Sequence, residues 1–187
     1  EHTSEMVSQV IYGEHFKILE KRKSWSRIRM ALDNCEGWAV NSQIVEISEE
    51  NYKEIGSSEN VRCVADLVSY VETEDNILIP IILGSTITNT NILTHKFEGN
   101  STSCTQDKAN LINTALLYLN APYLWGGRTP FGLDEAGFVQ MVYKLNGCNL
   151  LRKALEQSTQ GTALSFIEES EAGDLAFFDN SEGVIDH

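Results

Sequence analysis

Polar and apolar positions alternate through "SRIRM" (26–30), the period-two mark of a half-buried strand. Similar short runs surround it: "MVSQVIYG", "HFKILEK", "WSRIRMAL" and "EGWAVNSQ", separated by Gly13-Glu14, Lys23-Ser24 and Asp33-Asn34. Strands this small at such short intervals predict a compact β-barrel module over residues 1–55. "SEENYKEIG" (48–56) supplies a capping serine, two acids in the first turn and a late glycine, which predicts a short helix. A second β-rich block, with "LVSYVE", "ILIPIIL" and "HKFEG" as its strands, predicts a second small β module over 56–100. "GNSTSCTQ" (99–106) reads as a polar linker.

The period then changes. "DKANLINTALLYLN" (107–120) places Ile112, Ala115, Leu116 and Leu119 on one helical face. After "APYLWGGRTPFG", Phe138, Met141, Val142 and Leu145 repeat the spacing and predict a helix from Glu135 to Leu145. Asp134 can cap its start, and Gly147 lies just past its end. "GDLAFF" (173–178) and "GVIDH" (183–187) predict two adjoining strands around the turn "DNSEG". Helix, loop, helix and then strands make residues 101–187 an α+β domain.

Charge narrows the partners. Lys plus Arg number 14 against 27 Asp plus Glu, a net charge of −13. Such a surface repels phosphate backbones and anionic lipid, so nucleic acid is excluded as a partner. The basic run "KRKSWSRIR" (21–29) reads as a solvated strand face. No apolar run approaches the roughly 18 residues of a membrane span. The four cysteines, Cys35, Cys63, Cys104 and Cys148, form no CxxC pair and no zinc spacing, and no cofactor or metal site is expected. A disulfide cannot be paired from the sequence, and buried, inert thiols are expected. No leader peptide is visible, which leaves the compartment open.

The stretch "NAPYLWGGRTPFGLDEAGFVQMVYKLNG" resembles the signature of the NlpC/P60 family, papain-like cysteine peptidases acting on bacterial cell-wall peptides. That run is Y-x-W-G-G-x-[ST]-P-x-G-x-D-C-S-G-F-V-Q. Tyr123, Trp125, Gly126, Gly127, Thr129, Pro130, Gly132, Asp134, Gly137, Phe138, Val139 and Gln140 all match it. "GDLAFF…GVIDH" is similar to the family's G-D-L-x-F-F…H-V-G-I and puts His187 at the catalytic histidine. "W-S-R-I-R…E-G-W" is similar to a bacterial SH3 module, so the resemblance implies two such modules followed by a papain-like domain. It also implies that the domain continues beyond residue 187, with a sheet completed by more chain or by another chain. Family members of this architecture cut muropeptides bearing a free N-terminal L-Ala, between D-Glu and the diamino acid. Their cysteine sits on the first turn of a helix, where the dipole and a histidine sharpen the thiolate.

Here Glu135 stands at the cysteine position and Ala136 at the following serine. A carboxylate is a weak nucleophile toward an amide, and its attack would give a strained mixed anhydride. Cys148 is no substitute, since eleven helical residues put it roughly 16 Å from position 135. The resemblance assigns Asp134 to the substrate's free amine, a role compatible with capping, and includes Trp125 in the binding loop. Cys35 stands where an aromatic residue commonly closes over the substrate. In "RKALEQ" (152–157), Lys153 replaces an acid, and Leu155 and Glu156 replace small polar groups of the groove.

These departures predict an inactive homologue that retains a groove for a cell-wall peptide or a protein partner. The alternative is an active endopeptidase whose native residue 135 is a cysteine. Two further readings rank lower: changed chemistry using Glu135 and His187 as an acid/base pair or metal ligands, and a purely structural role.

Overall fold

The computed structural model describes residues 4–104 and 108–187. The chain divides into two compact units, one comprising Val10–Cys104 and the other Glu1–Gln9 together with Thr105–His187.

In the first unit, β1 (Phe16–Lys21), β2 (Trp25–Met30) and β3 (Glu36–Val40) form an antiparallel three-stranded sheet in chain order. The expected alternation is realised: Ser26, Ile28 and Met30 are buried, while Arg27 and Arg29 are exposed and pair with Glu36. The basic run is thus a solvated face, and Arg22 stacks its guanidinium over Trp38, 4.3 Å from the ring centre. Helix α1 (Glu49–Ser57) starts where capping logic put it, with the Ser48 hydroxyl accepting from the Asn51 N–H. It runs through Gly56 and stops at Ser57.

The rest of this unit pairs β4 (Arg62–Val64) with β7 (Ser101–Ser103), and β5 (Val68–Glu72) with β6 (Leu78–Ile82). Its core gathers Val64, Val71, Ile81 and Ile87, with Tyr12, Ile79 and Phe97 packed against them. Among the described residues no sheet closes on itself, so the two expected barrels are instead one three-stranded sheet and two ribbons. The strands are three to six residues long, and only β2 lies between two other strands; β4 and β5 gain a single bridge each on their second edges, Cys63 to Thr86 and Glu72 to Lys96. "HKFEG" contributes only a bridge from Lys96 to Glu72. Conversely, Ser101–Ser103 of the expected linker is strand, because its backbone completes the β4 ladder; Thr105 and Gln106 of that linker lie outside the described residues.

The second unit corrects the sequence reading at three places. The expected helix 107–120 is a single 3-10 turn, Lys108–Asn110, then α2 (Leu111–Leu116) and turns to Asn120; Asp107 lies outside the described residues. Its buried positions are Leu111, Thr114 and Tyr118, while Ile112, Leu116 and Leu119 are exposed. The segment is apolar on two adjacent faces, and the tertiary contacts select between them. Asn146 Nδ2 donates to Thr114 Oγ1 at 3.0 Å, and Tyr118 meets Phe138 edge-on at 6.0 Å. Residues of "MVSQ" form no strand either. Gln9 Oε1 accepts from the Arg128 N–H at 2.7 Å, and its carbonyl accepts from Arg128 Nη1 at 2.9 Å. These bonds tie the segment to the loop carrying the short hairpin β8 (Arg128–Thr129) and β9 (Gly132–Leu133).

Helix α3 spans Glu135–Leu145 as expected, burying Met141, Val142 and Leu145, with Phe138 half-buried. It ends in a Schellman turn: Gly147 adopts φ +81°, its N–H donates to Lys144 O, and the Cys148 N–H donates to Tyr143 O. A last short helix, α4, covers Ala154–Gln157. "GDLAFF" and "GVIDH" come together, but as one antiparallel bridge between Asp179 and Ile185 rather than two full strands. The Phe178 N–H donates to His187 O at 2.8 Å and the Asn180 N–H to Val184 O at 2.9 Å.

Candidate functional site at the start of helix α3

The Asp134 carboxylate organises this end of the second unit. Its Oδ1 accepts from the Gly137 N–H at 2.7 Å, which caps α3. Its Oδ2 accepts from the Gly126 N–H at 2.9 Å. Arg152 then closes on both oxygens, Nη1 on Oδ1 at 3.0 Å and Nη2 on Oδ2 at 2.8 Å. An ionised carboxylate has about four acceptor directions, and here all are taken. Arg152 also donates from Nε to Ser8 Oγ at 3.1 Å and from Nη2 to Gly127 O at 3.4 Å.

Close backbone crossings lock the loop against the helix. A Cβ on Gly137 would lie 2.2 Å from Gly127 O, and one on Gly127 would lie 2.4 Å from Gly132 O. Only hydrogen fits at either place, which is the physical reason for the glycines of "WGG" and "EAGF". Glu135 is the first residue of α3 and is exposed. Its charge sits at the positive end of the helix dipole, a favourable position for a carboxylate. The Ala136 carbonyl accepts from Gln157 Nε2 at 2.9 Å, fastening α4 beside the start of α3, and Gln157 itself is buried.

Aromatic side chains stand open around this point. Tyr123 is 61% exposed, Trp125 63% and Phe131 59%. Partial desolvation, then the carboxylates of Glu135 and Asp134, push the Tyr123 phenol above its ordinary value. Leu155, on α4, is half exposed.

The C-terminal hairpin bears His187. Its Nδ1 lies 2.6 Å from Asp186 Oδ1, and its ring stacks on Phe178 with centroids 5.7 Å apart. Glu135 and His187 share no hydrogen bond or ion pair among the described residues. Among the described residues, no group of three or more His, Cys, Asp or Glu side chains gathers as a metal site would require. Cys35 lies in the first unit, in the turn between β2 and β3, its N–H donating to Asp33 Oδ1 at 2.9 Å.

The geometry thus joins Asp134, Glu135 and Ala136 through α3 to Arg152 and Gln157. The sequence reading had not singled out Arg152, Gln157 or Tyr123 as site residues. Arg152 and Gln157 are the first and last residues of "RKALEQ".

Residues 120–187 match the model of the NlpC/P60 family, and residues 1–44 match that of the bacterial dipeptidyl-peptidase SH3 domain. The chain carries an NlpC/P60 domain. A γ-D-glutamyl-L-lysine dipeptidyl-peptidase of Bacillus subtilis is 39% identical over 80 residues, covering 42% of this chain and 27% of that protein. The protein of the same name from Bacillus cereus matches at 39% over 80 residues, 24% of its length. The chain therefore spans about a quarter of these two relatives. Dipeptidyl-peptidase 6 of Lysinibacillus sphaericus is 24% identical across 94% of this chain and 74% of that protein. The crystal structure of an NlpC/P60 family protein from Bacillus cereus superposes with a TM-score of 0.76 at 21% identity, covering 96% of this chain and 68% of that one. That likeness supports the mixed α and β NlpC/P60 fold. An SH3 match exists for one module, at residues 1–44.

Proposed function

We propose that this protein is a catalytically silent relative of the cell-wall peptidases, one that keeps a peptide-binding surface at the start of α3. The observation that carries the reading is Glu135. It occupies the first turn of the helix, where the resemblance expects a thiolate, while the surrounding frame of Asp134, Arg152, Gly127 and Gly137 is fully assembled. Loss of the nucleophile with retention of its scaffold suits binding rather than cleavage. A carboxylate cannot readily open an amide, because it is weakly basic and its adduct is a strained anhydride.

The ligand class follows from the relatives' names and from the open aromatics. Tyr123, Trp125 and Phe131 offer exposed rings beside acidic groups, a surface suited to a short peptide. The partner is a muropeptide containing L-Ala-γ-D-Glu followed by a diamino acid, or a protein segment of similar chemistry. Asp134 serves as the organiser of the site, because engaging an ammonium would require giving up one of its four bonds.

The test uses the purified protein and a synthetic L-Ala-γ-D-Glu-diamino acid peptide. Calorimetry is expected to register saturable binding, and mass spectrometry no release of L-Ala-γ-D-Glu. Turnover abolished by iodoacetamide would overturn the reading in favour of the active endopeptidase. Neither binding nor turnover would leave the structural role.

A further inference from the structure

The structure assigns a covalent cross-link to Cys63 and Cys104. Cys63 lies on β4 and is fully buried; its register partner on β7 is Thr102. Cys104 directly follows β7, and its N–H donates to Val61 O at 2.9 Å, so the antiparallel ladder continues one residue past the strand. Cys104 is therefore two positions beyond the partner of Cys63. Diagonal neighbours of this kind share a face of the ribbon. Their sulfurs lie 2.9 Å apart across 41 positions of chain. A bond of about 2.05 Å requires only a small further approach.

The chemistry is thiol–disulfide exchange with a small-molecule or protein disulfide. Cys104, the more accessible of the two, attacks the oxidant as its thiolate and forms a mixed disulfide, releasing one thiolate. Cys63 passes its proton to the departing group as it attacks the Cys104 sulfur, releasing the second half of the oxidant as a thiol. Two protein thiols are oxidised to one disulfide, and the oxidant is reduced to two thiols. Of the other cysteines, Cys35 is in the β2–β3 turn, and Cys148 belongs to the other unit.

The cross-link has a structural task. The β4–β7 ribbon registers only three residue pairs, and a two-stranded ribbon is marginal by itself. Closing this long loop removes conformational freedom from the unfolded chain and staples the last strand of the unit. This inference is independent of the peptide-binding reading.

The experiment titrates thiols in the denatured 187-residue chain after incubation with oxidised glutathione. Two thiols per chain are expected, from Cys35 and Cys148, rising to four after reduction. Peptide mapping is expected to find the Cys63 and Cys104 peptides joined. Reduction should lower the thermal midpoint of the wild type by several degrees and leave that of Cys104→Ser unchanged. Four titratable thiols in the treated protein, a different joined pair, or a wild-type midpoint indifferent to reduction would each overturn the inference.

Discussion

Arg152 holds Asp134 by both carboxylate oxygens, at 3.0 and 2.8 Å, with the side chains only 5% and 13% exposed. A pair this well enclosed does not behave like a surface ion pair. Removing one partner strands the other charge among backbone and apolar atoms, a cost of roughly 3–5 kcal/mol. Asp134→Ala also removes the cap of α3. The variant is expected to lose about that much stability in denaturant unfolding of the C-terminal unit. The double variant Asp134→Ala/Arg152→Met should lose clearly less than the sum of the two single changes. Strict additivity would mean that the two side chains are not energetically coupled.

Gly137→Ala separates local propensity from packing. On an open helix this exchange gains about 1 kcal/mol. Here the new Cβ meets Gly127 O at 2.2 Å, and the obstacle is backbone rather than a side chain that could swing away. A net loss of roughly 1–3 kcal/mol is expected, because the loop must move off the helix. A thermal melt with a raised midpoint would show that the loop yields freely.

The contrast between α3 and α2 explains how much the sequence could reveal. Helix α3 has one apolar face, an acidic cap and a glycine stop, and local rules agree with the tertiary result at each of them. In "LINTALLYL" two adjacent faces are apolar, and the choice fell to Thr114 meeting Asn146 and Tyr118 meeting Phe138. Periodicity carries no information about partners so distant in the chain. The same limit hid β7, whose Ser-Thr-Ser backbone is strand only because β4 lies beside it. At the candidate site, the family resemblance is what points to Asp134 and Glu135. The engagement of Arg152, Gln157 and the N-terminal Ser8 and Gln9 depends on contacts between segments many residues apart.

His15 makes the first unit sensitive to mild acid. Burial lowers its pKa below 6.5, and Glu14 pulls it only partly back. The ring lies edge-on against Tyr52, at 5.0 Å, and Lys17 Nζ lies over the Tyr52 ring, 5.4 Å from its centre. A depressed histidine pKa means that the unfolded chain takes up the proton first. Stability is therefore full above about 6.5 and declines as pH falls from there toward the folded-state value. Urea midpoints taken at ~pH 7 and ~pH 5 should drop more for the wild type than for His15→Phe. Equal drops would assign the acid sensitivity to other groups.

Glu135→Cys tests whether one residue explains the proposed silence. The first turn of α3 would stabilise the new thiolate through its unsatisfied N–H groups and dipole. The adjacent Asp134 would not oppose this, since Arg152 already balances its charge. Iodoacetamide is therefore expected to alkylate the introduced thiol at neutral pH faster than Cys148. Reactivity is only half of catalysis, however. Leu155 presents a half-exposed apolar side chain and Lys153 a cation where the resemblance expects small polar or acidic groups, and Cys35 replaces an aromatic. Release of L-Ala-γ-D-Glu from the peptide substrate is expected to stay below detection in this single variant. Substantial turnover would mean that substrate still seats correctly, and that the carboxylate at position 135 is the whole of the lesion.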